Sequence, residues 1–201
     1  MTNNVLKVGI TGGIGAGKTL VSKIFNLLGI PVYDADTRAK WISNFHPEVK
    51  KEIIDFFGED SYKDNQFNSR FIIGKIINDK TKTEKLNSII HPRVGTDFME
   101  WAEQHKTFPY LLKEAALMFE SDSYKSLDKI IVVTAPLTIK IKRILARDPQ
   151  RTETEILGIM DKQMSEEEKL KKADFILYND DHQMVIPQVV ALDKLFSKKY
   201  V

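Results

Sequence analysis

The chain has 201 residues, enough for one domain with a full core and an insertion, and 42% of them are apolar. Thirty basic residues against twenty-eight acidic ones leave a net charge of +2, too even to make nucleic acid an obligatory partner. No cysteine is present, which excludes disulfides, thiolate zinc sites and cysteine nucleophiles. With no apolar run of bilayer length and no basic and apolar leader at Met1–Asn4, no membrane partner is expected and the location is read as cytoplasmic.

Leu6–Thr11 reads as a short buried strand. Gly12-Gly13-Ile14-Gly15-Ala16-Gly17-Lys18-Thr19 follows and fits the phosphate-loop pattern G-x-x-x-x-G-K-[ST]. Glycine admits backbone turns closed to other residues, so successive N–H groups can point inward at a phosphate. Lys18 is expected to reach the β- and γ-phosphates, and Thr19 to offer a hydroxyl to Mg²⁺. A helix beginning at about Gly17, with Leu20, Val21, Ile24, Phe25 and Leu28 at helical spacing, turns its positive end toward the same anion. Strand, glycine loop and helix together are the setting that the pattern requires.

Gly29 closes this helix, and Ile30–Tyr33 starts a second strand that ends in Asp34-Ala35-Asp36. Ligands of open α/β sheets bind off the carboxyl ends of strands, so Asp34 is expected across the crevice from the loop, orienting or deprotonating an attacking hydroxyl. Asp36 suits a helix cap. From Trp41 to about Gln104 apolar residues recur at helical intervals, predicting a helical insertion without a buried strand. Within it, Asp55-Phe56-Phe57-Gly58 spells a D-x-x-G, read as coincidence because Gly58 fits a helix cap and no guanine-reading N-K-x-D is present. His91 and Arg93 flank Pro92 at a predicted junction between two helical segments. They are either exposed to an anionic substrate or occupied as a cap and a solvated charge.

Tyr110–Glu120 begins as a buried strand; of its two acids, Glu114 and Glu120, at least one is expected to face the crevice or a basic partner. Met118 and Phe119 read as packing. Lys129–Ala135 is the clearest central strand, and Pro136 opens a helix through Arg147. Arg143 and Arg147, one helical turn apart, can neutralise charge on a transferring phosphoryl group. A helix over Glu153–Met164, a capping box at Ser165–Glu168, a last strand ending at Asn179 and a closing helix over Met184–Phe196 complete the chain. Asn179 stands where it can help to hold an adenine. These residues suit a small-molecule or nucleoside-monophosphate kinase, with a nucleotide-sensing binding protein as the alternative.

With these stretches together, the sequence resembles the dephospho-CoA kinases over essentially its whole length. The resemblance is carried by Gly9–Thr19, Asp34-Ala35-Asp36, Leu86-Asn87 with His91-Pro92-Arg93-Val94, Arg143–Asp148, Gln163 with Lys169, Ala173-Asp174 and Asn179. It implies a three-layer α/β P-loop NTPase core with a parallel sheet, a helical acceptor-binding insertion over about 37–105 and a small lid over about 144–158. It also implies transfer of the γ-phosphate of ATP to the ribose 3′-hydroxyl of dephospho-CoA, with Mg²⁺, with this small molecule as substrate, and without nucleic acid or membrane. By the same likeness Asp34, Lys18 and Arg143 are catalytic, and Thr19 is the metal ligand. Gly13, Gly15, Ala16, Gly17, Lys18, Thr19, Leu20, Arg147 and Asn179 bind the nucleotide, and Asp34, His91, Arg93 and Glu120 bind the acceptor. Two departures stand out: Ala115-Ala116-Leu117-Met118 where many members carry proline and leucines, and Thr19 in place of the commoner serine.

Overall fold

The apolar runs become one sheet. The computed structural model describes residues 5–198, and the chain divides into two compact units: residues up to Asp34 together with those from Ala102 onward, and Ala35–Trp101. In chain order the elements are β1 (Leu6–Thr11), α1 (Lys18–Leu27), β2 (Val32–Asp34), α2 (Ala35–Phe45), α3 (Pro47–Phe57), β3 (Tyr62–Lys63), β4 (Gln66–Phe67), α4 (Ser69–Ile76) and α5 (Lys80–Gln104). There follow β5 (Tyr110–Glu114), β6 (Lys129–Thr134), α6 (Leu137–Arg147), α7 (Glu153–Met160), α8 (Glu166–Lys171), β7 (Phe175–Tyr178) and α9 (Val185–Lys198).

In the first unit the strands lie in the order β2-β5-β1-β6-β7 and every pairing is parallel. Both faces of such a sheet are covered, which is why β1, β5 and β6 are almost unbroken apolar runs. One face carries Val8, Ile10, Tyr110, Leu112, Ile131, Val133 and Leu177, sealed by Val21 and Phe25 of α1 and by Val189 and Phe196 of α9. Phe25 and Phe196 meet Tyr110 edge-on at 6.3 and 5.2 Å, and the Tyr110 hydroxyl donates to Asp193 of α9 at 2.7 Å. Each such ring stabilises the fold by roughly 1.5–3 kcal/mol through burial alone. β1 is central, and the chain leaves it toward β2 on one side and reaches β6 on the other. The crevice off its carboxyl end is where an open α/β sheet takes its ligand.

In the second unit Ile42, Val49, Ile53, Ile72, Leu86, Ile89 and Phe98 are buried. Arg38 of α2 makes a two-pronged ion pair with Asp97 of α5 and lies over the Trp41 ring at 4.6 Å. Two features depart from the sequence expectation. β3 and β4 form a small hairpin through Asp64 and Asn65, both at positive φ (50° and 63°) as a two-residue turn requires, although the segment read as wholly helical. The expected junction at His91-Pro92-Arg93 is the interior of one 25-residue helix, α5, with Pro92 inside it. Proline removes one intrahelical hydrogen bond there. The buried Leu86, Ile89, Val94, Phe98 and Ala102, spaced by three to five residues along the helix, hold it together across that gap. Gly58 does end α3, at φ 94°.

Lys113 of β5 is 2% exposed in the middle of the sheet, and burial pushes its ammonium down to about 8. The unfolded chain holds that proton up to about 10.4, so between these values folding releases it and stability rises with pH. Below the folded value the full cost of burying the charge is present. Urea denaturation is expected to show stability increasing by about 1–2 kcal/mol from pH 7.5 to 9.5 through this group, and Lys113→Met is expected to remove that part of the slope.

Candidate active site

The phosphate loop has no room for side chains on its inner course. Gly12 stands at φ 151°, and a Cβ there would run into the carbonyl oxygen of Val133 in β6. Gly17, at φ 94°, is the N-cap of α1, and a Cβ there would run into the Asn179 amide. Glycine is the residue that fits both the backbone conformation and the close approach. The loop is tied to itself: the Ala16 N–H donates to the Gly13 carbonyl at 3.2 Å, and the Lys18 ammonium donates to the Gly12 and Gly13 carbonyls at 2.9 and 3.3 Å. The Ile14 N–H donates to the Gln163 side chain at 3.1 Å. Lys18 is the first residue of α1 and Thr19 the second, so helix dipole, ammonium and hydroxyl share one mouth.

Asn179 and Arg143 close the loop's far end. The Asn179 N–H extends the β6 edge by donating to Thr134 at 2.8 Å, and its side-chain amide donates to the Ala16 carbonyl at 2.9 Å. Arg143 of α6 donates to the Asn179 carbonyl at 2.9 Å and to its side-chain oxygen at 3.3 Å. Ala16 is therefore engaged at both its N–H and its carbonyl, and is 1% exposed; its part is to shape the loop. Arg147, one turn beyond Arg143 on α6, is 62% exposed at its side chain and pairs with Asp148 at 2.9 Å. That guanidinium holds the Asp148 carboxyl below the usual carboxylate range. Leu20 is also exposed, at 51%.

A second group of functional side chains gathers at the carboxyl edge of β2 and β5. Asp34 and Glu114 are register partners on these neighbouring parallel strands, so both side chains leave the same face of the sheet. It is the face that α1 covers, and the Thr19 hydroxyl donates to Glu114 at 2.9 Å. Glu114, only 8% exposed, is one of the two acids of which at least one was expected to face the crevice, although the family resemblance gave it no role. The signal for it was legible: an acid at the last position of a strand whose other residues are buried. Asp36 lies inside the first turn of α2 and not at its cap. Glu120 accepts the Met164 N–H at 2.8 Å and pairs with the buried Lys169 at 3.2 Å, a contact lying off the hydrogen-bond direction. Its carboxylate thus fastens the stretch after α7 to the β5–β6 connection.

In the second unit, Arg93 pairs with Glu48 at 2.7 Å and Glu52 at 3.5 Å. It borders an open groove of about 170 Å³, shared with Trp41, His46, Asp97 and Glu100. His91 lies two residues earlier on the same helix, about 200° around its axis. His91 and Arg93 therefore stand on opposite faces of α5.

The family model for dephospho-CoA kinase (CoaE) matches residues 6–184. The chain belongs to the dephospho-CoA kinase family. A dephospho-CoA kinase of Bacteroides fragilis is 34% identical over 194 residues, covering 96% of this chain and 94% of its own. Among solved structures, TT1252 from Thermus thermophilus matches with a TM-score of 0.80 at 27% identity, covering 98% of both chains. The dephospho-CoA kinase from Campylobacter jejuni matches with a TM-score of 0.71 at 27% identity, covering 97% of this chain and 98% of its own. The α/β P-loop kinase fold and the activity of an ATP-dependent kinase follow for this member of the family.

Asn179→Ala removes the donor to the buried Ala16 carbonyl and the side-chain acceptor of Arg143, leaving only the main-chain one. A loss of about 1–3 kcal/mol in urea denaturation is expected, together with weaker ATP binding in calorimetry.

Proposed function

We propose that this chain transfers the γ-phosphate of ATP to the ribose 3′-hydroxyl of dephospho-CoA, giving CoA and ADP. The observation that carries the residue roles is the register pairing of Asp34 with Glu114, beside Thr19 and the start of α1. Together these place two carboxylates and a hydroxyl at the lip of the phosphate loop. The N–H groups of Gly15, Gly17, Lys18 and Thr19 and the Lys18 ammonium are assigned to the β- and γ-phosphates. Gly13, Gly15 and Gly17 give the loop its close approach, and Arg143 and Asn179 hold its end beside the nucleotide.

The oxygens of Thr19 and Glu114, 2.9 Å apart, fit a hard cation such as Mg²⁺, which keeps several waters and takes only one or two protein ligands beside the phosphates. Bound there, the ion would neutralise charge developing between the β- and γ-phosphates. Asp34 is assigned to the acceptor hydroxyl, which it orients in line with the γ-phosphate and whose proton it receives. Arg143 and Arg147, on one face of α6, are assigned to the charge of the transferring phosphoryl group. The second unit, with the Arg93 groove and His91 on separate faces of α5, is assigned to the acceptor, and α7 with the turn before it to the lid. Among the described residues no helix is long and apolar enough to cross a membrane; a small-molecule acceptor in the cytoplasm suits the proposal.

ADP release is expected with ATP, Mg²⁺ and dephospho-CoA, with CoA as product, and not with AMP, adenosine or no acceptor. Turnover of another acceptor would discard the substrate assignment, and ADP release without dependence on any acceptor would discard the transfer reaction. Asp34→Asn is expected to lower kcat by about 10²–10⁴-fold while changing ATP affinity little; near-normal turnover would remove Asp34 from the role of base and aligner.

A further inference from the structure

The floor of the phosphate loop is made by charged groups that the transfer mechanism does not use. Lys140 of α6 is 6% exposed. Its ammonium is paired with Glu166, the first residue of α8, and the other oxygen of that carboxylate accepts the hydroxyl of Thr134 at the end of β6. The Lys140 ammonium and the Gln163 side-chain oxygen each lie 3.9 Å from where a Cβ of Gly13 would stand. The backbone carbonyl of Lys140 comes within 2.7 Å of the corresponding point on Gly15. One residue thus abuts the loop twice, through its side chain at Gly13 and through its main chain at Gly15.

Between these two contacts lies the Gly13–Ile14 peptide. Its carbonyl accepts from Ala16 and Lys18, and its N–H donates to Gln163. Gln163 and Glu166 belong to the stretch that follows α7, and Glu120 anchors that stretch through the Met164 N–H and Lys169. A phosphate loop binds through backbone N–H groups, so its affinity depends on the direction in which each peptide plane is held. A peptide plane clamped from both sides is set before the nucleotide arrives.

We infer that the Lys140–Glu166 pair, with Gln163, is a positioning device that holds the Gly13–Ile14 peptide in the orientation the nucleotide phosphates require. The inference rests on the phosphate loop being the ATP site of the proposed reaction. Lys140 is a positioning residue: it acts through the loop that it abuts at Gly13 and Gly15. Glu166 keeps the ammonium neutralised, and Thr134 keeps Glu166 aimed at it.

The test uses the full chain and reads ATP binding by calorimetry in the absence of acceptor, alongside kcat and KM for ATP with saturating dephospho-CoA. Lys140→Met leaves the Glu166 carboxylate without its counter-charge and is expected to lower Tm. The double variant Lys140→Met/Glu166→Gln carries no unpaired charge and keeps an acceptor for Thr134, so its Tm is expected to return close to wild type. Its Kd and KM for ATP are nonetheless expected to rise about tenfold, with kcat changed less than about threefold. Gln163→Leu is expected to give the same split, and combining it with the double variant to add little further, because all three changes release one peptide. A double variant of normal Tm and wild-type ATP affinity would overturn the inference, as would full additivity with Gln163→Leu. If wild-type protein binds ATP but does not phosphorylate dephospho-CoA, the acceptor assignment fails while the binding comparison still decides the role of Lys140.

Discussion

A carbonyl oxygen of β6 occupies the place where a side chain at residue 12 would begin. That one steric constraint organises the nucleotide-binding unit. Because the loop lies directly on Val133, it can be neither raised nor rotated without losing its contact with the sheet. The central strand β1 therefore delivers Lys18 and Thr19 at a fixed height above the carboxyl edge. Other elements then converge on the loop where it lacks side chains. Gly15 admits the main chain of α6, and Gly17 admits the Asn179 amide. Here glycine does two things at once: it allows the turn, and it lets the scaffold approach closely enough to grip the turn.

The polar groups around the loop follow from that proximity. A loop pressed into a sheet and a helix buries peptide groups that water can no longer satisfy, and each needs a partner. Asn179 serves the Ala16 carbonyl, Gln163 serves the Ile14 N–H, and Ala16 and Lys18 serve the Gly13 carbonyl. Arg143 then fixes Asn179. The chain's last third, which is remote in sequence, thereby becomes the mould of a motif that lies in its first twenty residues. At the opposite lip, strand register does the same for chemistry. A parallel alignment that opposes Asp34 to Glu114 brings two acids from distant segments to one face, beside the Thr19 hydroxyl.

Where sequence reasoning fell short, packing over long distances was the reason. Pro92 looked like a break because proline costs a hydrogen bond locally, yet buried residues on both sides of it belong to one stripe of α5. Burial outweighs local propensity there. The β3–β4 hairpin has only two residues in each strand, too few for a periodic signal, and only the Asp64-Asn65 turn pair announces it. Glu120 and Arg93 were legible as charged residues in notable surroundings. Their partners, Lys169 and Glu48, lie 49 and 45 positions away, and no spacing rule connects residues so far apart.

The amino-acid sequence determined the phosphate loop, the strands that flank it and the family, because these rest on local requirements: positive φ at glycine, a lysine and a hydroxyl at fixed offsets, and apolar runs long enough to fill a sheet. It also marked Asp34, through its place at the end of a strand. Tertiary structure decided which acids stand together, which arginine grips the loop and which is exposed, and that His91 and Arg93 look away from each other. Those outcomes depend on register and helical phase, where a shift of one residue moves a side chain to another face. The energy that fixes register and phase comes from burying side chains distant in sequence, which the local pattern does not contain.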